Sequence, residues 1–357
     1  MEEGAFLKLK NNRESRIIFI CWLAYTAAYV GRLNFSASNV AIIEALGATK
    51  PDAGLVSSFF FFAYGAGQLV NGILSKKYNS KYMIFGSLTV SAVLNLLMPL
   101  CADISVMKYI WLVNGMAQSV LWSTLIKTLS DFVSDKRLPS AILAMSTTVA
   151  IGTLIAYGIS SLSVNFGLWQ AVFYVASVIL IVSAFVWLSL FGPSKKRNAA
   201  ESQVQTETGK IKMSKAVGFA LALAAIAGVA NGFIKDGVTT WVPSVLYEEF
   251  GLSTSFSILL TLFLPMVSTL GATIAKKIHE KIRTHSTMNT LFYAVAAVLC
   301  LGIIFSLKIR NLPAIMVCFV GLSCSMAMIN NVVTSMFALD HRKHLNSGFV
   351  AGLLNTF

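Results

Sequence analysis

Three basic residues stand inside long apolar runs: Arg32, Lys127 and Lys235. On insertion scales a charge at the centre of a membrane helix costs about 2.5–3.5 kcal/mol, so each needs a reason to be there. Arg32 lies in Tyr29-Val30-Gly31-Arg32-Leu33-Asn34-Phe35. Tyr25, Tyr29, Arg32 and Ser36 follow one another at spacings of four, three and four, which puts them on one helix face. That face offers two phenols and a guanidinium fork. The fork matches a phosphate or carboxylate bidentately and cannot lose its proton. The other use of such an arginine is a structural pair with a carboxylate on another helix; the scarcity of acids in the apolar runs favours an anion from outside. Lys235 has Asn231 one turn earlier on the same face. It reads as an anion contact, or as a lysine neutralised by burial or paired with Asp236, although adjacent helical residues do not face each other. Lys127, with Asp131 four residues on, fits a snorkelling i,i+4 pair near the end of its segment. Asp236 is the one acid in the interior of an apolar segment. It suits a proton-coupling carboxylate or a charge offsetting Arg32, Lys235 or Lys127, and the residues leave both open.

The elements that hold these groups must be membrane helices. The chain has 357 residues, 56% of them hydrophobic and 12% charged, with mean hydropathy +0.73. Soluble domains carry about 25% charged residues, and a soluble core cannot hide that much apolar surface. A crossing takes about 20 apolar residues. Apolar segments are expected at 16–41, 52–75, 82–102, 105–131, 139–163, 168–191, 214–246, 254–276, 287–307 and 312–337. An eleventh begins near 346 and runs to Phe357. Because a chain should not stop inside a membrane helix, a twelve-helix protein is expected, of which this sequence lacks the end. The shortened second half is expected not to function, since polar cavity faces would meet lipid.

The net charge of +13 does not imply nucleic acid, because the basic residues sit between apolar segments. With the N-terminus inside and strict alternation, 21 Lys and Arg fall in inside loops, four in outside loops and three within helices. By the positive-inside rule the N-terminus is cytoplasmic. The charged N-terminal stretch is mixed and long, and no cleavage site follows the first apolar run, so it is expected to be a membrane helix and not a signal peptide. The five cysteines show no metal-ligand spacing and read as small lipid- or core-facing residues.

The longest polar stretch, 193–213, reads as a flexible cytoplasmic linker. It divides the chain into a six-helix part at 1–192 and a second part at 214–357. A repeat supports this. Gly72-Ile73-Leu74-Ser75-Lys76-Lys77, then Lys81, follows segment 2. Gly271-Ala272-Thr273-Ile274-Ala275-Lys276-Lys277, then Lys281, follows segment 8. The glycine, small-residue and basic cluster after segment 2 resembles the signature loop of the major facilitator superfamily, with Lys76-Lys77 in place of its usual acidic-basic pair. The resemblance implies an all-α membrane fold of two six-helix halves related by an axis along the membrane normal, with substrate near the midplane. Segment 7 is then the repeat partner of segment 1, and Arg32 and Lys235 are expected to face each other across a central cavity.

The local motifs resemble one branch, the organophosphate:phosphate antiporters. Tyr25, Tyr29, Arg32, Asn34 and Phe35 keep the branch's segment 1 register. Lys235-Asp236-Gly237-Val238, then Trp241-Val242-Pro243-Ser244-Val245-Leu246, is similar to its segment 7, with Lys235 where the branch has arginine. Ala63-Tyr64-Gly65 fits segment 2, but Gln68 replaces a lysine. Gln118 and Trp122 fit segment 4, and Lys127 holds a basic position there. Thr147 stands where the branch has a functional histidine. Ser347 to Asn355 also looks familial. The resemblance implies a transporter and not an enzyme, moving an organic anion, a phosphorylated metabolite, by alternating access in exchange for phosphate. The two departures shift the balance towards a monoanion or another organic anion. Substrate contacts are expected from Arg32, Lys235, Tyr25, Tyr29, Tyr64, Gln68, Trp122, Thr147 and Asn231. No metal, cofactor or nucleic acid is expected, and the protein is expected as a monomer in the cell membrane. Two rival readings remain: a proton-coupled carboxylate or sugar symporter using Asp236, and a transporter-like membrane sensor of sugar phosphate.

Overall fold

A computed structural model describes residues 2–74, 79–134, 136–192, 215–282 and 284–333. They form α-helices and no strand. Lys76, Lys77, the linker 193–213 and the stretch from 346 onward lie outside the described residues. Packing divides the chain into two compact units, Met1–Ser202 and Gln203–Phe357. Seven helical stretches among the described residues are long and apolar enough to cross a membrane, covering segments 1, 3, 5, 6, 8, 9 and 10.

In the first unit the helices are α1 (Glu2–Leu46), α2 (Lys50–Leu74), α3 (Ser80–Leu97), α4 (Ile104–Ser119), α5 (Leu121–Phe132), α6 (Leu138–Asn165) and α7 (Trp169–Leu190). Segment 1 is longer than expected. Its N-terminal extension is rich in Glu, Leu, Lys and Arg, good helix formers that nothing interrupts. The helix stops at Gly47, whose φ of 59° only glycine adopts at low cost. There the Ala48 N–H bonds back to the Ile43 carbonyl at 3.0 Å, closing the helix end. Thr49 and Asp52 then cap α2 reciprocally. Asp52 Oδ2 accepts from the Thr49 N–H at 3.0 Å, and Thr49 Oγ1 accepts from the Asp52 N–H at 3.4 Å.

Segment 4, expected as one helix, is broken at Val120. Ser119 Oγ donates to the Met116 carbonyl at 2.6 Å, the group that Val120 N–H would use in a regular helix. This is the local competition by which serine interrupts a ladder. Ser119 also accepts from Asn71 Nδ2 at 2.9 Å, which ties α4 to α2. The pair is close because Gly115 lies against the Phe60 carbonyl, where a Cβ would collide with backbone. Segments 1, 3, 5 and 6 complete the unit, with α1 packed on α6 and α7 and α3 on α7. The α1 span is the most enclosed of the crossing helices, 67% buried. At its N-terminal end, buried Glu14 accepts from Ser134 Oγ at 3.1 Å and pairs with Arg137 Nη1 at 3.5 Å, while Arg137 Nη2 donates to Ser15 Oγ at 2.9 Å.

In the second unit the helices are α8 (Lys215–Phe250), α9 (Thr254–Thr261), α10 (Phe263–Lys281), α11 (His285–Lys308) and α12 (Leu312–Asn331). Segment 8 is also broken, at Leu262. Pro265 has no N–H for the Thr261 carbonyl, so the ladder cannot run through. α10 packs on α12 as α2 packs on α4. Again a glycine sits at the contact, Gly271 against the Cys324 carbonyl at 2.6 Å from an added Cβ. Small residues at such crossings let backbones approach where lipid gives no hydrophobic drive to association.

Candidate functional site

Arg32 is buried, 8% exposed, on α1. Its guanidinium carbon lies 4.2 Å from the ring centroid of Tyr29, 4.9 Å from Tyr64 and 5.6 Å from Tyr25. Two of these rings come from the same helix, one and two turns earlier, and the third from α2. Each desolvated cation–ring contact is worth up to about 2 kcal/mol, of the same order as the cost of burying the charge. The cage thus makes the arginine tolerable without neutralising it. Its Nε and Nη2 are buried with no hydrogen-bond partner among the described residues. An unmet buried donor costs about 1–3 kcal/mol, more when charged, and an anion meeting both would recover that.

The aromatic wall continues past the cage. Tyr25 meets Tyr29 edge-on at 5.1 Å and Trp122 of α5 at 5.0 Å. Tyr64 stacks on Phe60 at 6.0 Å. Tyr29 is pressed from behind by Gly152 of α6, where a Cβ would collide with the tyrosine Cβ. One turn before Tyr25, Trp22 Nε1 donates to Thr147 Oγ1 at 2.9 Å, and Thr147 in turn donates to the Ala144 carbonyl at 2.8 Å. The threonine therefore has its one proton committed and presents an acceptor and a methyl. Gln68 is half-buried one turn beyond Tyr64.

The structure thus brings together Tyr25, Tyr29, Arg32, Tyr64 and Trp122, and reaches Thr147 through Trp22. Asn231, Lys235 and Asp236 lie on α8 in the second unit. Asn231 is 4% exposed with Oδ1 unpartnered among the described residues. Lys235 is exposed and Asp236 half-buried. Among the described residues no group of His, Cys, Asp and Glu is arranged to hold a metal.

Two features escaped the sequence reading. Trp22 belongs to the Arg32 face one turn earlier, and following the spacing back would have found it. The second is the joining of Asn95 and Asn114 with Asn34 and Gln118, which the sequence marked only as family-like positions, in one buried amide cluster, all four 0% exposed. Counting amides in apolar runs as well as charges would have flagged them.

The profile described as "Major Facilitator Superfamily" matches residues 21–357. A probable hexose phosphate transport protein of Chlamydia trachomatis is 23% identical over 171 residues, 48% of this chain and 38% of that protein. The glycerol-3-phosphate transporter of Bacillus subtilis is 24% identical over 258 residues, 65% of this chain and 57% of that protein. The chain therefore spans well under two thirds of the length of these relatives. The crystal structure of a bacterial homologue of the human lysosomal transporter Spinster superposes with a TM-score of 0.77 at 14% identity, covering 96% of this chain and 79% of that one. At that identity the likeness is one of fold. With its apolar helices and its match over most of its length, this chain belongs to the Major Facilitator Superfamily, and is a multi-pass membrane protein.

Proposed function

We propose that this carrier moves an organic anion, a phosphorylated metabolite, across the cell membrane by alternating access, in exchange for inorganic phosphate. The observation that carries the reading is Arg32: a buried cation, caged by three phenols, with two N–H groups unmet among the described residues. A phosphate offers oxygens to both at the spacing of the fork. The similarity to carriers named for hexose phosphate and glycerol-3-phosphate supports the substrate class. Lys235 is the second cation for the anion, with Asn231 one turn away. Tyr25, Tyr29, Tyr64, Gln68, Trp122 and Thr147 surround the organic part. The excess of basic residues in alternate loops supports a cytoplasmic N-terminus.

The test is phosphate counterflow. The purified protein is reconstituted in phosphate-loaded liposomes, and labelled phosphate is added outside. Rapid exchange, competed by sugar phosphates or glycerol phosphate and lost in Arg32→Gln, is the expected result. Exchange that survives Arg32→Gln undiminished removes Arg32 from the mechanism. Absence of exchange by well-folded protein moves the substrate class to carboxylates.

A further inference from the structure

A helix carrying a buried cation must be held at a fixed height, and the residue before Arg32 shows how. The Gly31 carbonyl accepts from Asn95 Nδ2 of α3 at 3.1 Å and from Asn114 Nδ2 of α4 at 3.2 Å. A carbonyl oxygen has two lone pairs, and two amides from two other helices converge on this one. Asn95 also donates to the Ser91 carbonyl at 2.9 Å, and its Oδ1 accepts from Asn34 Nδ2 at 2.6 Å. Asn114 Oδ1 accepts from Ser91 Oγ at 2.7 Å, and Ser91 Oγ accepts from Gln118 Nε2 at 2.8 Å. The Phe35 N–H, which in a regular helix serves the Gly31 carbonyl, is met by Asn34 Oδ1 at 2.9 Å. Gly31 suits this approach: a Cβ there would stand 2.5 Å from Leu180 Cδ1 and 3.3 Å from Asn95 Nδ2, so both side chains would have to shift.

We propose that Asn95 and Asn114 are positioning residues that fix the height and rotation of Arg32 through the Gly31 carbonyl. The inference rests on Arg32 as the anion ligand. Simple cohesion of helices would need no convergence on one atom; α1 is tethered elsewhere by ordinary single bonds, such as Ser38 Oγ to Ser160 Oγ at 2.7 Å. Two donors of the buried network converge on one backbone carbonyl, that of the residue immediately before the charged one. A partly satisfied buried network is costly, so losing either amide should let α1 turn or slide there.

The test needs no substrate. Purified protein is treated with phenylglyoxal, which modifies arginine, and labelling at Arg32 and Arg137 is followed by mass spectrometry. Arg137 reports general loosening. In Asn95→Ala and Asn114→Ala the ratio of Arg32 to Arg137 labelling should rise more than threefold, while Ser38→Ala leaves it within threefold. Asn114→Ser, a smaller deletion too short to reach Gly31, serves if the alanine variants do not fold. A ratio within threefold in the asparagine variants, or an equal rise in Ser38→Ala, overturns the proposal. Half-saturation by phosphate should rise at least tenfold in the asparagine variants with the maximal exchange rate held within threefold. If the unmodified protein exchanges no phosphate, the anion reading fails while the labelling ratio still decides the positioning.

Discussion

The two units carry their cations in opposite ways. In the first, Arg32 is buried, ringed by Tyr25, Tyr29 and Tyr64, and its helix is gripped by amides from α3 and α4. In the second, Lys235 is exposed on α8, and the core beside it is built from apolar residues such as Met288, Phe292 and Met326. One tether to α8 is Tyr293, whose hydroxyl donates to the Ala227 carbonyl at 2.6 Å. The contrast follows from the side chains. A guanidinium keeps its charge at any pH and can be buried only in a prepared site. An ammonium on a flexible stem reaches water and needs no such preparation. On the proposed reading, the first unit thus holds the more enclosed anion contact.

The largest expected effect sharpens this contrast. Arg32→Gln should reduce phosphate exchange by more than a hundredfold, because it removes the only fork in the cage. Lys235→Gln should reduce it by about tenfold, the effect of one charge-assisted contact at a partly wet position, worth about 1.4 kcal/mol. Initial rates of counterflow at saturating and subsaturating phosphate separate the two. Equal losses would erase the difference between the buried and the exposed cation.

Much of the frame was legible before any coordinates. Charge spacing marked Arg32, Tyr25 and Tyr29 because a 3.6-residue period puts them on one face, and lipid as solvent made the long apolar runs among the described residues helical, two of them with a break. What could not be read was anything set by contacts between helices. Tyr64 joins the cage only because Gly115 lets α4 press on α2 and hold it there. The break at Val120 depends on the Ser119 rotamer, and a serine in an apolar run does not announce which carbonyl it will take. Thr147 was expected in the pocket as a replacement for a histidine. The structure gives its proton to Ala144 and its lone pair to Trp22, a bond between positions 125 apart in sequence.

The glycine contacts test whether the units are packed by the same rule. Gly115→Val should drive α4 off the Phe60 carbonyl, and Gly271→Val should drive α10 off the Cys324 carbonyl. Overpacking at such sites costs about 1–3 kcal/mol. Thermal unfolding in detergent should show a similar loss for each. The transport outcomes should differ, with Gly115→Val also weakening phosphate half-saturation, because α2 carries Tyr64. Equal effects on transport would mean that the cage tolerates movement of α2.

The cage itself should respond more gently. Tyr64→Leu removes one cation–ring contact, worth up to about 2 kcal/mol when desolvated, and should raise phosphate half-saturation by about tenfold. Tyr64→Phe keeps the ring face and should change it by less than threefold. If phenylalanine is as damaging as leucine, the hydroxyl and not the ring face is what the site uses.

The smallest effect lies at the other end of α1, where Glu14 is 5% exposed at the side chain and Arg137 is 34% exposed. The pair spans 3.5 Å, and one partner is open to solvent, so its direct worth falls near the surface range of about 0–1 kcal/mol. Glu14 is nevertheless held by Ser134 and lies beside Ser15, which Arg137 also bonds. A double-mutant cycle of Glu14→Gln and Arg137→Gln, read by thermal unfolding, should give a coupling under about 1 kcal/mol. Phosphate half-saturation should be unchanged in both single variants, since the grip at Gly31 lies between this end of the helix and Arg32. A change in half-saturation would show that the height of α1 is set from its N-terminal end as well, and that the grip at Gly31 is one of two.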